Sequence, residues 1–230
     1  MSGIDRYTRA RIVLGDRFEP LRAKKVLLFG IGGVGSFCLD ALYRTGITDI
    51  TIIDFDTYDI TNQNRQIGSE ATGEIKVERL SKLYPGITPI HAKVDEEFLR
   101  GFDFAPYDIV LDAIDDVKAK IGIIRRSHKK LISSMGSAKR LDPTKIEYVS
   151  IWKTYGDGLA KKVRDELKGM NFKPDFKVIF SSETPVCKEK GSFVGVTEAF
   201  GLALAAKAIE RLSKKGLCIV TGKQIGRAHV

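Results

Sequence analysis

Apolar residues along this chain come in short solid runs, separated by stretches in which they recur every three or four positions. Val26-Leu27-Leu28-Phe29 is one such run. Two lysines precede it and Gly30 follows, which predicts a strand buried on both faces. It leads into Gly30-Ile31-Gly32-Gly33-Val34-Gly35 and then a helical pattern that stops at Gly46, a favourable helix terminator. Ile50–Asp54 predicts a second strand and closes a βαβ unit, and further strands are expected over residues 87–94, 109–111 and 132–137. Helical spacing falls over residues 74–83, where Tyr84-Pro85 ends it, and over 117–130, 159–168 and 197–212. The last of these has Thr197 as N-cap and a face of small apolar residues, which predicts a core helix or a dimer face. Residues 5–14 predict a short helix ending at Gly15, and residues 19–25 a polar approach to the first strand. Strand and helix in alternation predict an α/β fold. The expected architecture is a Rossmann-like, doubly wound sheet with an N-terminal helix, parallel through five strands and mixed after Ile146.

The first connection carries chemistry. Glycine at positions 30, 32 and 35 gives G-x-G-x-x-G between a strand and a helix, the context that the motif requires. The three glycines serve a tight turn, close approach of backbone to phosphate, and close packing of helix on strand. The helix N-terminus offers unpaired N–H groups to an anion. Asp54 ends the second strand 19 residues beyond Gly35, where a carboxylate can hydrogen-bond ribose hydroxyls. In place of a quick return to helix, residues 54–66 read DFDTYDITNQNRQ, polar and without helical period, at the ligand-binding end of a strand. The stretch contains Arg65, a bidentate phosphate binder, and Lys76 follows in the next helix. Asp112 ends the fourth strand. Asp115 or Asp116 can hold a Mg²⁺ ion together with phosphate oxygens, and an N-cap for the following helix is the other use of such a pair. Both hold together if Asp116 is the cap and Asp115 the metal ligand.

Composition narrows the setting. A chain of 230 residues, 43% hydrophobic, suits one large domain. We expect that domain over residues 1–215: a nucleotide-binding core at 5–150, then a basic substrate-binding extension with the C-terminal helix at 151–215. Residues 216–230, ending IGRAHV, are expected to be a disordered or non-native tail. No apolar run approaches the ~20 residues of a membrane span, and the N-terminus lacks a secretory h-region, so a cytoplasmic protein without membrane attachment is expected. Cys38, Cys187 and Cys218 form no C-x-x-C pair, so neither a disulfide framework nor a four-cysteine zinc site is available. The net charge is +9 and unevenly spread. Residues 1–115 carry 14 Lys and Arg against 18 Asp and Glu, and residues 116–230 carry 24 against 11. A basic second half suits a polyanionic partner; a solvated basic face is the alternative. On the helix of residues 159–168, Lys161, Arg164 and Lys168 share a face, with Lys162 beside it, and are the first candidates to meet the phosphates of such a partner.

GIGGVGS, DFDTYDITNQNRQ, IKVERL and DAIDD, in this order and spacing, resemble the ThiF-like adenylating domain of the ubiquitin-activating-enzyme superfamily. The likeness covers roughly residues 5–150. It extends to Arg6–Gly15, where these enzymes carry an Arg-Tyr-x-Arg helix. It implies ATP and Mg²⁺, and a carboxylate that attacks the α-phosphorus to give an acyl-adenylate. Carried over position by position, Gly33 lies against the nucleotide and Asp54 on the ribose. Asn62, Arg65 and Lys76 lie on the phosphates, Asp115 on Mg²⁺, with Asp56 and Asp116 also counted among the nucleotide-binding residues. Arg9 acts in trans from the second subunit of a homodimer. Arg9, Arg65, Lys76 and Asp115 are thus the expected catalytic set. No histidine is needed, and His91, His128 and His229 lie outside the motifs.

The second half resembles one branch of that superfamily, the transfer-RNA threonylcarbamoyladenosine dehydratases. The likeness rests on residues 141–146 and 151–157, the helix of residues 159–168, and Phe180-Ser181-Ser182-Glu183-Thr184-Pro185, although Gly158 stands where the branch commonly has proline. The implied substrate is tRNA carrying threonylcarbamoyladenosine. Three alternatives stay open: an activator of a ubiquitin-like sulfur carrier, a non-catalytic RNA-binding or sulfur-relay adaptor, and, more distantly, a nicotinamide dehydrogenase. Cys187, in the polar run before Gly191, is the candidate reactive thiol for a sulfur-relay partner. An ordinary loop cysteine is the preferred reading, since nothing in the sequence lowers its pKa.

Overall fold

The computed structural model describes residues 4–213. The expected tail, Cys218 and His229 lie outside the described residues. Among the described residues, seven strands form one sheet: β1 (Val26–Phe29), β2 (Ile50–Asp54), β3 (Thr88–His91), β4 (Ile109–Asp112), β5 (Leu131–Ser134), β6 (Ile146–Ser150) and β7 (Lys177–Ser181). Their spatial order is β3-β2-β1-β4-β5-β7-β6. All neighbours are parallel except β6, which runs antiparallel to β7 at the edge. The fold is thus the mixed, doubly wound α/β sheet expected. The basic second half does not form a separate layer, because β7 pairs directly with β5.

Among the described residues, eight α-helices accompany the sheet: α1 (Thr8–Leu14), α2 (Phe18–Arg22), α3 (Gly33–Thr45), α4 (Lys76–Leu83), α5 (Glu96–Gly101), α6 (Val117–Ser127), α7 (Gly158–Gly169) and α8 (Val194–Ser213). Successive β1 residues feed opposite cores, as a pleated strand covered on both faces requires. Val26 and Leu28 join α3 and α8 residues such as Leu39, Leu42, Phe200 and Leu204. Leu27 and Phe29 join Leu99 of α5, Ile123 of α6 and Val163 of α7. The helix α8 is a core helix that crosses α3 closely. A Cβ at Gly201 would stand 2.4 Å from the Val34 carbonyl oxygen, so only glycine fits.

Several boundaries differ from expectation. Residues 19–25 are not merely a polar approach: α2 forms there and buries Phe18 and Leu21. The third strand spans four residues rather than eight, and the chain turns off it to Asp95, whose side chain caps α5 by accepting from Phe98 N–H. Thr197 is not an N-cap. The helix α8 begins three residues earlier, and the Thr197 hydroxyl donates back to the Phe193 carbonyl within the first turn.

Two buried charges join the sheet to α6. The Lys120 ammonium donates to Asp112 Oδ2 at 2.7 Å, to the Ser134 carbonyl at 2.8 Å and to Ser133 Oγ at 3.2 Å. Ser133 Oγ donates to Asp112 Oδ2 at 2.6 Å, and Ile114 N–H to Asp112 Oδ1 at 3.0 Å. Both charged side chains are fully buried. Replacing Lys120 by Met leaves the Asp112 carboxylate without its cation, and should cost about 3–5 kcal/mol of stability. The double variant Lys120→Met, Asp112→Leu should recover most of that loss, because no buried charge then remains unpaired. Urea denaturation of both proteins checks this; a single variant within about 1 kcal/mol of wild type would show the pair to be incidental.

Candidate functional site

The carboxyl ends of β1, β2, β4 and β5 open into a cleft of about 1210 Å³. Its floor is the glycine turn. Gly30 holds φ +77°, and a Cβ there would press within 2.9 Å of the Ala113 carbonyl carbon and Ile114 nitrogen. A Cβ on Gly35 would stand 1.9 Å from the Gly30 carbonyl oxygen, so this glycine lets α3 start directly against the turn. Gly33 meets Thr197 of α8 and the Arg65 backbone, at 2.4 and 3.2 Å from a Cβ. No side chain caps α3, so its first N–H groups remain available to an anion.

Asp54 is held by the backbone. Its two oxygens accept from Ile31 N–H and Asp56 N–H, each at 2.8 Å, which aims the carboxylate across the glycine turn and leaves lone pairs for a hydroxyl. Asp56 pairs with the buried Lys76 ammonium at 2.9 Å. Asn62 closes a capping box with Asp59: its Oδ1 takes the Asp59 N–H, so the amide NH₂ is the group it can offer. Arg65 donates to the Thr61 carbonyl and to Asn64 Oδ1, both at 2.8 Å. Asp116 accepts from Ala119 N–H at 2.8 Å, the N-cap expected of it.

Asp115 stands exposed on the cleft wall, 3.0 Å from the Lys190 ammonium. Partial burial pulls the Asp115 carboxyl upward. The hydrogen bond and charge of Lys190 outweigh that pull, and the pKa lies below the ordinary aspartate value. Among the described residues no group of three or more His, Cys, Asp or Glu side chains could hold a metal. A lone exposed carboxylate that already attracts a cation fits Mg²⁺, which takes one or two carboxylates and completes its shell with phosphate oxygens and water.

Of the residues singled out in the sequence, Gly30, Gly32, Gly33, Asp54, Asp56, Asn62, Arg65, Lys76, Asp115, Asp116 and Lys162 line this one cleft. Gly35 lies behind it. Arg9 is exposed on α1 and does not line the cleft of its own chain. The remaining basic candidates separate. Lys161 pairs with Asp165 at 2.7 Å, half-buried Arg164 turns inward to the Thr154 hydroxyl, and Lys168 lies at the far end of α7. Arg164 therefore does not share the exposed face expected of it. Cys187 is exposed, its thiol 3.4 Å from the Glu189 carbonyl, and lies outside the cleft. His91 and His128 also lie outside it.

Other cleft residues had no motif to announce them. Lys139 and Lys190 both line it, Lys190 from a strap of residues 186–192 that is tied to Lys139 and Asn64. Val186 N–H bonds to the Lys139 carbonyl at 2.9 Å, Lys139 N–H to the Gly191 carbonyl at 3.0 Å, and Asn64 Nδ2 to the Ser192 carbonyl at 3.2 Å. A second buried ion pair, Arg140–Asp157 at 3.4 Å, braces the far wall. Asp157 also accepts from Gly136 N–H and caps α7 through Ala160 N–H, which fixes Gly158, Leu159 and Lys162 against the cleft.

A profile described as the ThiF family matches residues 5–225. The chain is 36% identical over 196 residues to a tRNA threonylcarbamoyladenosine dehydratase of Bacillus subtilis, covering 80% of this chain and 77% of the relative. The structure resembles that of E. coli tRNA N6-threonylcarbamoyladenosine dehydratase in complex with ATP. The TM-score is 0.84 at 31% identity, over 91% of this chain and 94% of the other. Similarity to the molybdopterin-synthase adenylyltransferase of E. coli, at 36% identity, covers 126 residues, half of each chain.

The turn geometry separates two glycines. Gly35→Ala forces a methyl onto a backbone carbonyl and should cost more than about 3 kcal/mol, beyond ordinary overpacking. At Gly32 a Cβ meets only the Gln66 amide, at 3.7 Å. Gly32→Ala should keep stability within about 0.5 kcal/mol of wild type yet weaken nucleotide binding. Thermal denaturation with nucleotide titration separates the two; equal stability losses would refute this division of roles.

Proposed function

The chain belongs to the ThiF family, and we propose that within it the protein is an ATP-dependent tRNA threonylcarbamoyladenosine dehydratase. It adenylates the threonine carboxylate of N6-threonylcarbamoyladenosine in tRNA. The neighbouring ureido group then closes a ring on the activated carbonyl and expels AMP, so the modified base loses one water. One observation carries the reading: the phosphate-binding groups of the first half and the basic second half, through Lys139, Lys162 and Lys190, line a single cleft. The similarity to dehydratases that runs through most of the chain, against the half-length likeness to a molybdopterin-synthase adenylyltransferase, favours an RNA over a carrier protein.

Each residue has a task in that reaction. The attacking carboxylate is ionised at neutral pH, so no general base is required. Asp54 receives ribose hydroxyls, the α3 N-terminus and the Asn62 amide receive phosphate oxygens, and Arg65 and Lys76 neutralise the charge that grows on them. Asp115 is the residue to hold Mg²⁺, which when bound neutralises phosphate charge. Arg9 completes the site of the second subunit in a homodimer; the exposed Ile12 and Val13 on the same helix give that association an apolar surface. The compartment is the cytoplasm on this reading, and among the described residues no helix is long and apolar enough to cross a membrane. Among the described residues, the exposed cysteine that a sulfur-relay partner could use is Cys187, away from the cleft.

Incubation of the protein with ATP and tRNA, followed by nucleoside mass spectrometry, should show threonylcarbamoyladenosine lighter by one water. Pyrophosphate exchange that needs a carrier protein ending in Gly-Gly, with no change in tRNA, would overturn the assignment. Asp115→Asn should lower turnover by roughly 10²-fold or more while the protein stays folded. Near-normal AMP release would remove Asp115 from the mechanism. Arg9→Ala should be inactive alone and regain activity when mixed with Asp115→Asn under subunit exchange. Demonstrated exchange without recovery would refute the action of Arg9 in trans.

A further inference from the structure

A second groove, of about 420 Å³, lies at the carboxyl end of α7 and is lined by Trp152, Lys168, Asn171, Phe172 and Lys173. Both rings are fixed from outside the groove. The Trp152 indole N–H donates to the Pro174 carbonyl at 3.3 Å. Phe172 stands edge-on to His128, with centroids 5.4 Å apart and planes at 86°. Asn171 holds φ +53°, a left-handed conformation that asparagine tolerates at a helix end, and its amide has no hydrogen-bond partner among the described residues. Two lysines flank the rings, and no carboxylate lines the groove.

Rigid aromatic faces, a free amide and two ammonium groups match a nucleotide whose base is unstacked. The base can lie on a ring, its edge can meet a carboxamide, and its phosphates can meet lysines. We propose that this groove binds one unpaired base of the RNA substrate, a few nucleotides along the strand from the base that reacts. The placement supports it. The amino-terminal end of α7 lines the cleft with Gly158, Leu159 and Lys162, and Lys168 lines the groove. Six to ten residues of helix, at about 1.5 Å each, separate the two by roughly 9–15 Å. The cleft lies at the carboxyl ends of the parallel strands and the groove at their amino ends, so an RNA strand that reaches both must run the length of α7. Such a subsite would hold the RNA in register while the cleft acts on a single base. The inference rests on the dehydratase reading, which supplies the RNA.

Trp152 is the chain's single tryptophan, so its emission reports this groove directly. An RNA stem-loop with unpaired bases should quench Trp152 emission as it binds, and a fully paired duplex of equal length should not. Lys168→Ala with Lys173→Ala should flatten the log–log salt dependence of RNA binding by about 1.4–1.8 units. Trp152→Ala should raise KM for tRNA roughly tenfold or more. Both variants should leave ATP affinity unchanged. RNA binding measured by anisotropy without any change in Trp152 emission would overturn the subsite and leave the dehydratase assignment standing. So would equal quenching by the duplex, or a salt slope and KM equal to wild type. Absence of tRNA binding altogether would overturn both.

Discussion

The buried pair of Lys120 and Asp112 fixes the cleft before any ligand enters. Taking an ammonium and a carboxylate out of water costs several kcal/mol per ion, and their attraction offsets this only where the geometry is good and the other hydrogen-bonding positions are filled. Here they are filled by Ser133 Oγ, the Ser134 carbonyl and Ile114 N–H. The network ties the carboxyl ends of β4 and β5 to the second turn of α6. It thereby sets where the chain between them, with Asp115 and Asp116, leaves the sheet. The Arg140–Asp157 pair does the same on the far wall, where one carboxylate receives the Gly136 turn and the first turn of α7. A flexible loop could carry the same side chains but not hold them to one geometry.

These braces mark the boundary of what the sequence discloses. Local signals were legible: β1 and β2 begin and end where their apolar runs do, α3 ends at left-handed Gly46, and the glycine spacing marks Gly30 and Gly35, where a Cβ would clash, though not Gly33. Lys120 was not legible. It sits within a helical pattern as one charged residue among several, and only tertiary packing distinguishes it from a solvated lysine. Lys190 gave no signal either, because it reaches Asp115 across 75 residues of chain through a strap held mainly by backbone hydrogen bonds. The helix α2 went unread since its apolar face is two residues, Phe18 and Leu21, too few to establish a period.

Charge was the least reliable guide at the level of single residues. Helical spacing puts Lys161, Arg164 and Lys168 on one face, and the backbone of α7 obeys it. A residue's azimuth nevertheless does not say where a long flexible side chain ends. Arg164 folds back to Thr154 and Lys161 settles against Asp165, whereas Lys162, beside the expected face, reaches the cleft. The asymmetry between the halves survives as a property of the surface, but its useful members are chosen by packing.

The cleft's own ledger of charge shows what it can receive. Six carboxylates line it, and each is already engaged: Asp54 and Asp116 by backbone N–H groups, Asp95 by Phe98 N–H, Asp56 by Lys76, Glu96 by Arg126 and Asp115 by Lys190. Among the cations on the same walls, Lys93, Lys118 and Lys162 have no ion-pair or hydrogen-bond partner among the described residues, and Arg65 is bonded only to neutral oxygens. Asp56, Glu96 and Asp115 are each paired with a cation, whereas Asp54, Asp95 and Asp116 accept from neutral N–H groups and keep their charge. The cations open to an anion are therefore Lys93, Lys118, Lys162 and Arg65, on walls where seven cations face six carboxylates. A polyphosphate entering it meets these cations without first having to displace carboxylates, except at Lys76, which Asp56 holds, and at Asp115. There the cation in place is a side chain on a strap, which can be exchanged for another without unfolding the wall behind it.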